Sequence, residues 1–171
     1  MKRLSLPMVF LPMLTLVALL LTPVAGHAQP KPSFRVEGEV LKPRTLTQDD
    51  LLKWKTTEVK AKGHDGKEHV FKGVRLVDVL DSAGVTLGAK LRGENLAKYI
   101  LVKAADGYEV IFSLPEIDPE FTSQTVLLAY EMDGHPLAKG EGPFRMVVPA
   151  DKKQARWIRE LTTIRVVFSK D

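Results

Sequence analysis

Three Asp-Gly dipeptides constrain this chain more than any other feature. Asp65-Gly66, Asp106-Gly107 and Asp133-Gly134 each interrupt a stretch of extended character. Glycine takes positive φ at no steric cost, so Asp-Gly between two β-prone runs specifies a tight antiparallel turn. The flanks of the first two fit: 56–62 and 68–72 around one, 99–104 and 108–112 around the next. The run 125–130 (TVLLAY) is apolar throughout and reads as a buried strand that ends at the third turn. Phe34, Val36 and Val40 fall at even spacing, which suits a first strand with Gly38 as a weak point. Further strands are expected at 144–148 and 164–168.

Helices are few and short. Thr47 is a good N-cap for a helix over 48–53, with Asp49 and Asp50 in the first turn and Leu46 and Leu51 placed to close a hydrophobic staple. Residues 74–83 carry Val74, Leu76, Val77, Val79, Leu80 and Ala83 at helical spacing, with Gly84 as the C-terminal cap. Ser113 caps a short turn containing Pro115 and Glu116, and 152–160 predicts a fourth short helix. Strands outnumber helices and the turns are hairpin turns. The expected fold class is therefore α+β, compact, with mixed and mostly antiparallel sheets and short helices.

The first 28 residues read differently. Lys2 and Arg3 precede an apolar run from Leu4 to Leu21, and small residues follow Pro23 up to Ala28. That is a signal-peptide pattern with cleavage after Ala28. Pro7 and Pro12 break the run, each costing about 3 kcal/mol inside a helix, which argues against a retained membrane span. The expected organisation is a signal peptide over 1–28, a Pro-rich flexible spacer over 29–33 and one domain over 34–171. The expected location is periplasmic or secreted.

Composition then excludes chemistry. The chain has no cysteine, hence no thiol nucleophile, no thiolate metal ligand and no Cys-held cluster. Three histidines remain after cleavage: His64, His69 and His135. His64 and His69 lie on a polar hairpin and are expected to be solvent-exposed, so no metal site is expected. The leader holds two of the 25 basic residues and none of the 21 acidic ones, leaving a net charge of +2. That is too small to indicate nucleic-acid binding.

Basic residues do concentrate near the C-terminus. The segment 140–159 (GEGPFRMVVPADKKQARWIR) places Arg145, Lys152, Lys153, Arg156 and Arg159 around Trp157. Guanidinium and ammonium groups that converge could clamp a small anion by charge-assisted hydrogen bonds. The competing reading is a solvated basic face with Trp157 in the core. No Gly-rich phosphate loop, nucleophile elbow or calcium loop is present.

Five segments, in order, resemble the oxidoreductase molybdopterin-binding domain of the sulfite oxidase class. They are VEGEVLKPRTLTQDDLL (36–52), FKGVRLVDVLDSAGV (71–85), DGYEVIFSLPEIDP (106–119), VLLAYEMDGHPL (126–137) and GPFRMVVPADKKQARWI (142–158). The resemblance implies a compact sulfite-oxidase-type fold over about 34–168. It implies that Arg145, Lys153, Arg156 and Trp157 lie near a molybdopterin. It also exposes departures. The family's molybdenum-binding cysteine falls within the stretch that is 58–72 here, and this chain has none. The usual histidine before the Gly-Pro stretch is missing, where KGEGP stands, and the family's longer N-terminal region is absent. The implied function is an exported, non-catalytic module for a small anion or a pterin. One alternative is an active molybdopterin-dependent oxidoreductase with a non-cysteine metal site. Another is an interaction subunit with a protein partner.

Overall fold

The computed structural model describes residues 31–169. Among the described residues, ten strands form two five-stranded sheets. The first sheet contains β1 (Ser33–Gly38), β2 (Arg44–Thr47), β5 (Lys98–Ala104), β6 (Glu109–Ser113) and β10 (Leu161–Phe168), in the order β2-β1-β10-β5-β6. The second contains β3 (Thr57–Lys62), β4 (Glu68–Arg75), β7 (Leu127–Met132), β8 (His135–Pro136) and β9 (Arg145–Val147). Its order is β3-β4-β7-β8, with β9 also on β7. Every pairing is antiparallel except that of β1 with β10. The mixed, mostly antiparallel α+β architecture is the one the turns predict.

Period-two burial explains the strands of the first sheet. Phe34 and Val36 of β1, Ile100 and Val102 of β5, and Val110 and Phe112 of β6 are buried, while most of their neighbours are not. In β7, by contrast, Leu127 to Tyr130 are all buried, as a strand packed on both faces requires. Both sheets feed one apolar core. Phe34 meets Phe144 edge to face, their centroids 4.9 Å apart. The three Asp-Gly turns form, with Gly66, Gly107 and Gly134 at φ of +79°, +88° and +79°. The Asp65 and Asp106 carboxylates accept the backbone N–H two residues on, at 3.0 and 2.9 Å.

Two helix α1 (Gln48–Leu51) and α2 (Leu76–Ser82) are the only α-helices among the described residues. At α1 the Asp50 carboxylate accepts from the Thr47 N–H (3.1 Å) and hydroxyl (2.8 Å), and Leu46 and Leu51 are buried as expected. Helix α2 is shorter than the apolar spacing predicts. Val74 and Arg75 belong to β4, where they pair with Leu128 and Leu127. Gly73, just before them, is obligatory. A Cβ there would stand 2.0 Å from the Leu128 carbonyl oxygen and 2.7 Å from the Ala129 Cα. The register of β4 on β7 shifts between Lys72 and Gly73, so the two backbones close together at this point.

The helix predicted over 152–160 is replaced by a single 3-10 turn, Gln154–Arg156. Backbone pairing with the β9 region prevents more. The Met146 N–H donates to the Ile158 carbonyl (2.8 Å), and the Leu161 N–H donates to the Phe144 carbonyl (3.0 Å). Ser33, assigned to the spacer by sequence, opens β1. The predicted signal peptide and the first two spacer residues lie outside the described residues. Among those described, no helix is long and apolar enough to cross a membrane.

Candidate functional site

Strand β9 is buried at all three positions, and its first residue is a charged one. Arg145 is only 4 % exposed. Its guanidinium carbon lies 5.4 Å from the Phe71 ring centroid and 5.7 Å from that of Trp157, and the two rings meet edge to face. Aromatic faces attract a desolvated cation, which accounts for part of its tolerance to burial. Glu141 supplies the counter-charge: its carboxylate accepts from Arg145 Nη1, and also from Arg159 Nη1 at 3.0 Å. Arg145 Nε is buried without a hydrogen-bond partner. Burial pushes the guanidinium below its ordinary pKa; Glu141 opposes that shift and Arg159 adds to it. The group remains a cation at any physiological pH.

Arg145 and Glu141 line a cavity of about 240 Å³ with Phe71, Met132 and the hairpin-tip residues Gly63, His64, Asp65 and His69. A second cavity, of about 290 Å³, is lined by His64, Tyr108, Gly140, Gln154, Trp157, Arg159 and others. His64 lines both. Two hydrogen bonds fix the walls of the second: Gln154 Nε2 donates to the Lys62 carbonyl (2.7 Å), and the Tyr108 hydroxyl donates to the Ala155 carbonyl (2.9 Å).

The hairpin tip is braced by a three-part ion pair that corrects the reading of His69 as solvent-exposed. Its side chain is 17 % exposed. Nδ1 lies 2.6 Å from Asp133 Oδ2, and Nε2 lies 3.1 Å from Asp65 Oδ1. Asp133, at φ +52°, also accepts the Val70 N–H at 2.9 Å. The Asp133 carboxylate, followed by that of Asp65, raises the imidazole pKa above its ordinary value. His64 is exposed, as expected.

The structure brings together only two of the four site residues predicted from sequence, Arg145 and Trp157. Trp157 is a buried residue whose Nε1–H donates to the Val148 carbonyl at 3.0 Å. Arg156 lies elsewhere, over the Phe112 ring at 4.5 Å. Its Nε and Nη2 donate to Asp151 (3.0 and 2.7 Å) and its Nη1 to Glu116 (2.6 Å). Burial would raise the Glu116 carboxyl, but hydrogen bonds from Arg156 and Ser113 hold it below its usual value. Lys153 is exposed and forms no ion pair among the described residues. Neither Lys153 nor Arg156 lines either cavity. Sequence reasoning missed Glu141 and the His69 brace. The available signal for Glu141 was an acid standing four residues before the buried arginine.

Comparison with known proteins agrees with this architecture. The family model described as "Oxidoreductase molybdopterin binding domain" matches residues 22–170. An uncharacterized oxidoreductase of Bacillus subtilis (strain 168), YuiH, is 31 % identical over 135 residues, covering 74 % of this chain and 62 % of its own length. The chain thus spans less than two thirds of that relative. The sulfane dehydrogenase SoxCD of Paracoccus pantotrophus has a similar fold, with a TM-score of 0.63 at 20 % identity, over 80 % of this chain and 38 % of that one. This chain belongs to the oxidoreductase molybdopterin-binding domain family.

Proposed function

We propose that this protein is a non-redox member of its family, an exported module that binds a small anion or the anionic part of a pterin in the Arg145 cavity. The observation that carries the reading is the buried Arg145 guanidinium, which lines a cavity and is ion-paired there to the partly exposed Glu141. Two guanidinium groups share the Glu141 carboxylate, and Asp65 and His69 complete the charged lining of the Arg145 cavity.

The metal half of a molybdopterin does not fit these residues. The chain has no thiolate to offer. Among the described residues, no three His, Cys, Asp or Glu side chains are grouped to hold a metal ion. Both ring nitrogens of His69 already face carboxylates. The test is elemental and mass analysis of protein purified from its own host. Released anion or pterin with substoichiometric molybdenum is expected. Stoichiometric molybdenum would instead establish the alternative, an oxidoreductase with a non-cysteine metal site. Export rests on the 1–28 pattern; an intact mass matching a chain that begins at Gln29 is expected, and an uncleaved chain would refute it.

A second reading, an interaction subunit, is favoured by β6. This strand ends its sheet, and Ile111 on it is 55 % exposed. A sheet edge with an exposed apolar side chain is a template for a protein partner. Co-purification of a stable partner from the host, lost in Ile111→Lys, would support it. A monomer without partners would exclude it.

A further inference from the structure

We propose that the turn of the β3–β4 hairpin, residues 63–67, is a pH-controlled wall shared by two cavities, latched while both nitrogens of His69 carry a proton and loosened when the imidazole loses one. This goes beyond the anion-binding reading and stands without it.

Placement makes the turn a wall. Gly63, His64 and Asp65 line the Arg145 cavity, and His64 also lines the cavity beside Trp157. The turn closes on itself: the Gly63 N–H donates to the Lys67 carbonyl (2.8 Å), the Gly66 N–H to the Gly63 carbonyl (3.0 Å) and the Lys67 N–H to Asp65 Oδ1 (3.0 Å). It reaches the strand behind it through Asp65, whose two oxygens lie 3.1 and 3.2 Å from His69 Nε2. The imidazole also packs on the turn backbone; a Cβ at Gly63 would stand 2.9 Å from its Cδ2.

The latch needs an imidazolium. A carboxylate only accepts hydrogen bonds, and a neutral imidazole has one N–H and one bare lone pair. The doubly protonated ring alone can donate to Asp133 and Asp65 at once. When one proton leaves, the two sides are unequal. Asp133 lies closer, 2.6 Å from Nδ1, and its other oxygen is fixed by the Val70 N–H at 2.9 Å. Asp65 is otherwise tied only within its own turn. The remaining proton therefore stays on Nδ1, and the bare Nε2 repels the Asp65 carboxylate. The break falls between ring and turn.

The other charges around the ring are paired or lie in solvent. Arg145 and Glu141, which line the same cavity, are paired with each other. Lys62 and Glu68, opposite one another across the hairpin, are exposed, as are His64, Lys67 and, on β8, His135. Hydrogen bonds from the Lys67 N–H and His69 hold Asp65 below the usual carboxylate range, and those from His69 and the Val70 N–H do the same for Asp133. Both carboxylates are thus ionised throughout the range in which the imidazole titrates, above its ordinary value.

Trypsin reads the latch, because Lys62 and Lys67 flank the turn and are exposed. Cleavage of a native loop tracks the population of its open form when opening is fast. The protein as purified from its host is digested between about pH 6 and about pH 9. Each rate is divided by that of an unstructured peptide with the sequence of residues 60–70, which removes the pH dependence of the protease. The normalised rate at Lys62 and Lys67 should rise about tenfold or more as the local opening becomes easier. Its midpoint should coincide with the His69 titration followed by NMR. Normalised cleavage after Arg92, an exposed site before Gly93, should not change. In His69→Gln the turn should be cut fast at every pH.

A flat normalised rate in wild type overturns the proposal, as does a midpoint away from that of His69. An equal rise after Arg92 would mean opening of the whole domain and overturns it too. So does a pH response that survives in His69→Gln. If His69→Gln does not fold, the match of the two wild-type midpoints decides.

Discussion

Replacing Arg145 with methionine tests whether this buried charge serves stability or binding. The arginine makes two contacts with aromatic faces, at 5.4 and 5.7 Å, and one ion pair with Glu141. Each aromatic contact contributes about 0.5–2 kcal/mol when desolvated. Against this stands the cost of keeping a guanidinium out of water with one donor unpaired, about 1–3 kcal/mol for the unpaired donor alone. Methionine keeps a flexible stem of similar length and gains sulfur–aromatic contacts with Phe71 and Trp157 worth about 0.3–1.5 kcal/mol each. Glu141 is not stranded, because Arg159 retains it. These opposing effects nearly cancel, and removing one member of the pair leaves no buried charge uncompensated, because Glu141 is partly exposed and keeps Arg159. Arg145→Met should therefore change unfolding free energy by no more than about 1 kcal/mol, a midpoint shift of roughly 2–5 °C at most. Arg145→Ala, which also leaves a void between two rings, should cost about 2–4 kcal/mol. Denaturant unfolding monitored by tryptophan fluorescence reads both. A loss above about 3 kcal/mol in Arg145→Met would show that the cation is a structural keystone, and would refute the argument that it is retained for ligand.

Further outcomes follow from other parts of the molecule. His69 has a raised pKa because Asp133 and then Asp65 face its two nitrogens. Its contribution is complete below the unfolded-state value of about 6.5 and is lost as pH rises through the folded one. The stability gap between wild type and His69→Gln should thus be wide at about pH 6 and narrow towards pH 9; a gap that widens with pH contradicts this, and Asp133→Asn should lower the NMR titration midpoint of His69. Gly73→Ala drives a Cβ to 2.0 Å from the Leu128 carbonyl oxygen, so the variant should lose more than about 4 kcal/mol or fail to accumulate as folded protein; a near-normal midpoint would disprove the close approach. Arg156→Ala breaks pairs with Asp151 and Glu116, but the side chain is 32 % exposed, so the cost should be only about 1–2 kcal/mol. Its phosphate affinity should stay within about twofold, because Arg156 lines neither cavity; a tenfold drop would place it in the site.

Local chemistry was legible where it acts locally. Each Asp-Gly turn needs only its own φ angles, and both Thr47–Asp50 and Ser113–Glu116 close helix starts within four residues. Errors arose where distant backbone took over. Val74 shares helical spacing with Leu76, Val77 and Leu80, yet it stands opposite Leu128 of β7 in the sheet. Lys152 to Arg156 are good helix formers, but Ile158 and Leu161 are held by 144–146. The site divides in the same way. Arg145 stood out by charge and by resemblance. Glu141 looked like one more loop acid, and Asp133 like a turn residue. His69 looked exposed because its two carboxylates come from separate turns.

Strand β10 is the only strand that links the β1–β2 hairpin to the β5–β6 hairpin. Before residues 161–168 have been synthesised, the first sheet is two separate two-stranded ribbons, each marginal in water. Their bare flanks face a gap that only the last segment of the described chain can fill. A ribosome that stalls short of this segment would leave two unpaired strand edges, which are sticky to any passing extended chain. A premature stop ahead of Leu161 should accordingly yield aggregate rather than a trimmed domain, even though every residue of the Arg145 cavity would already have been made.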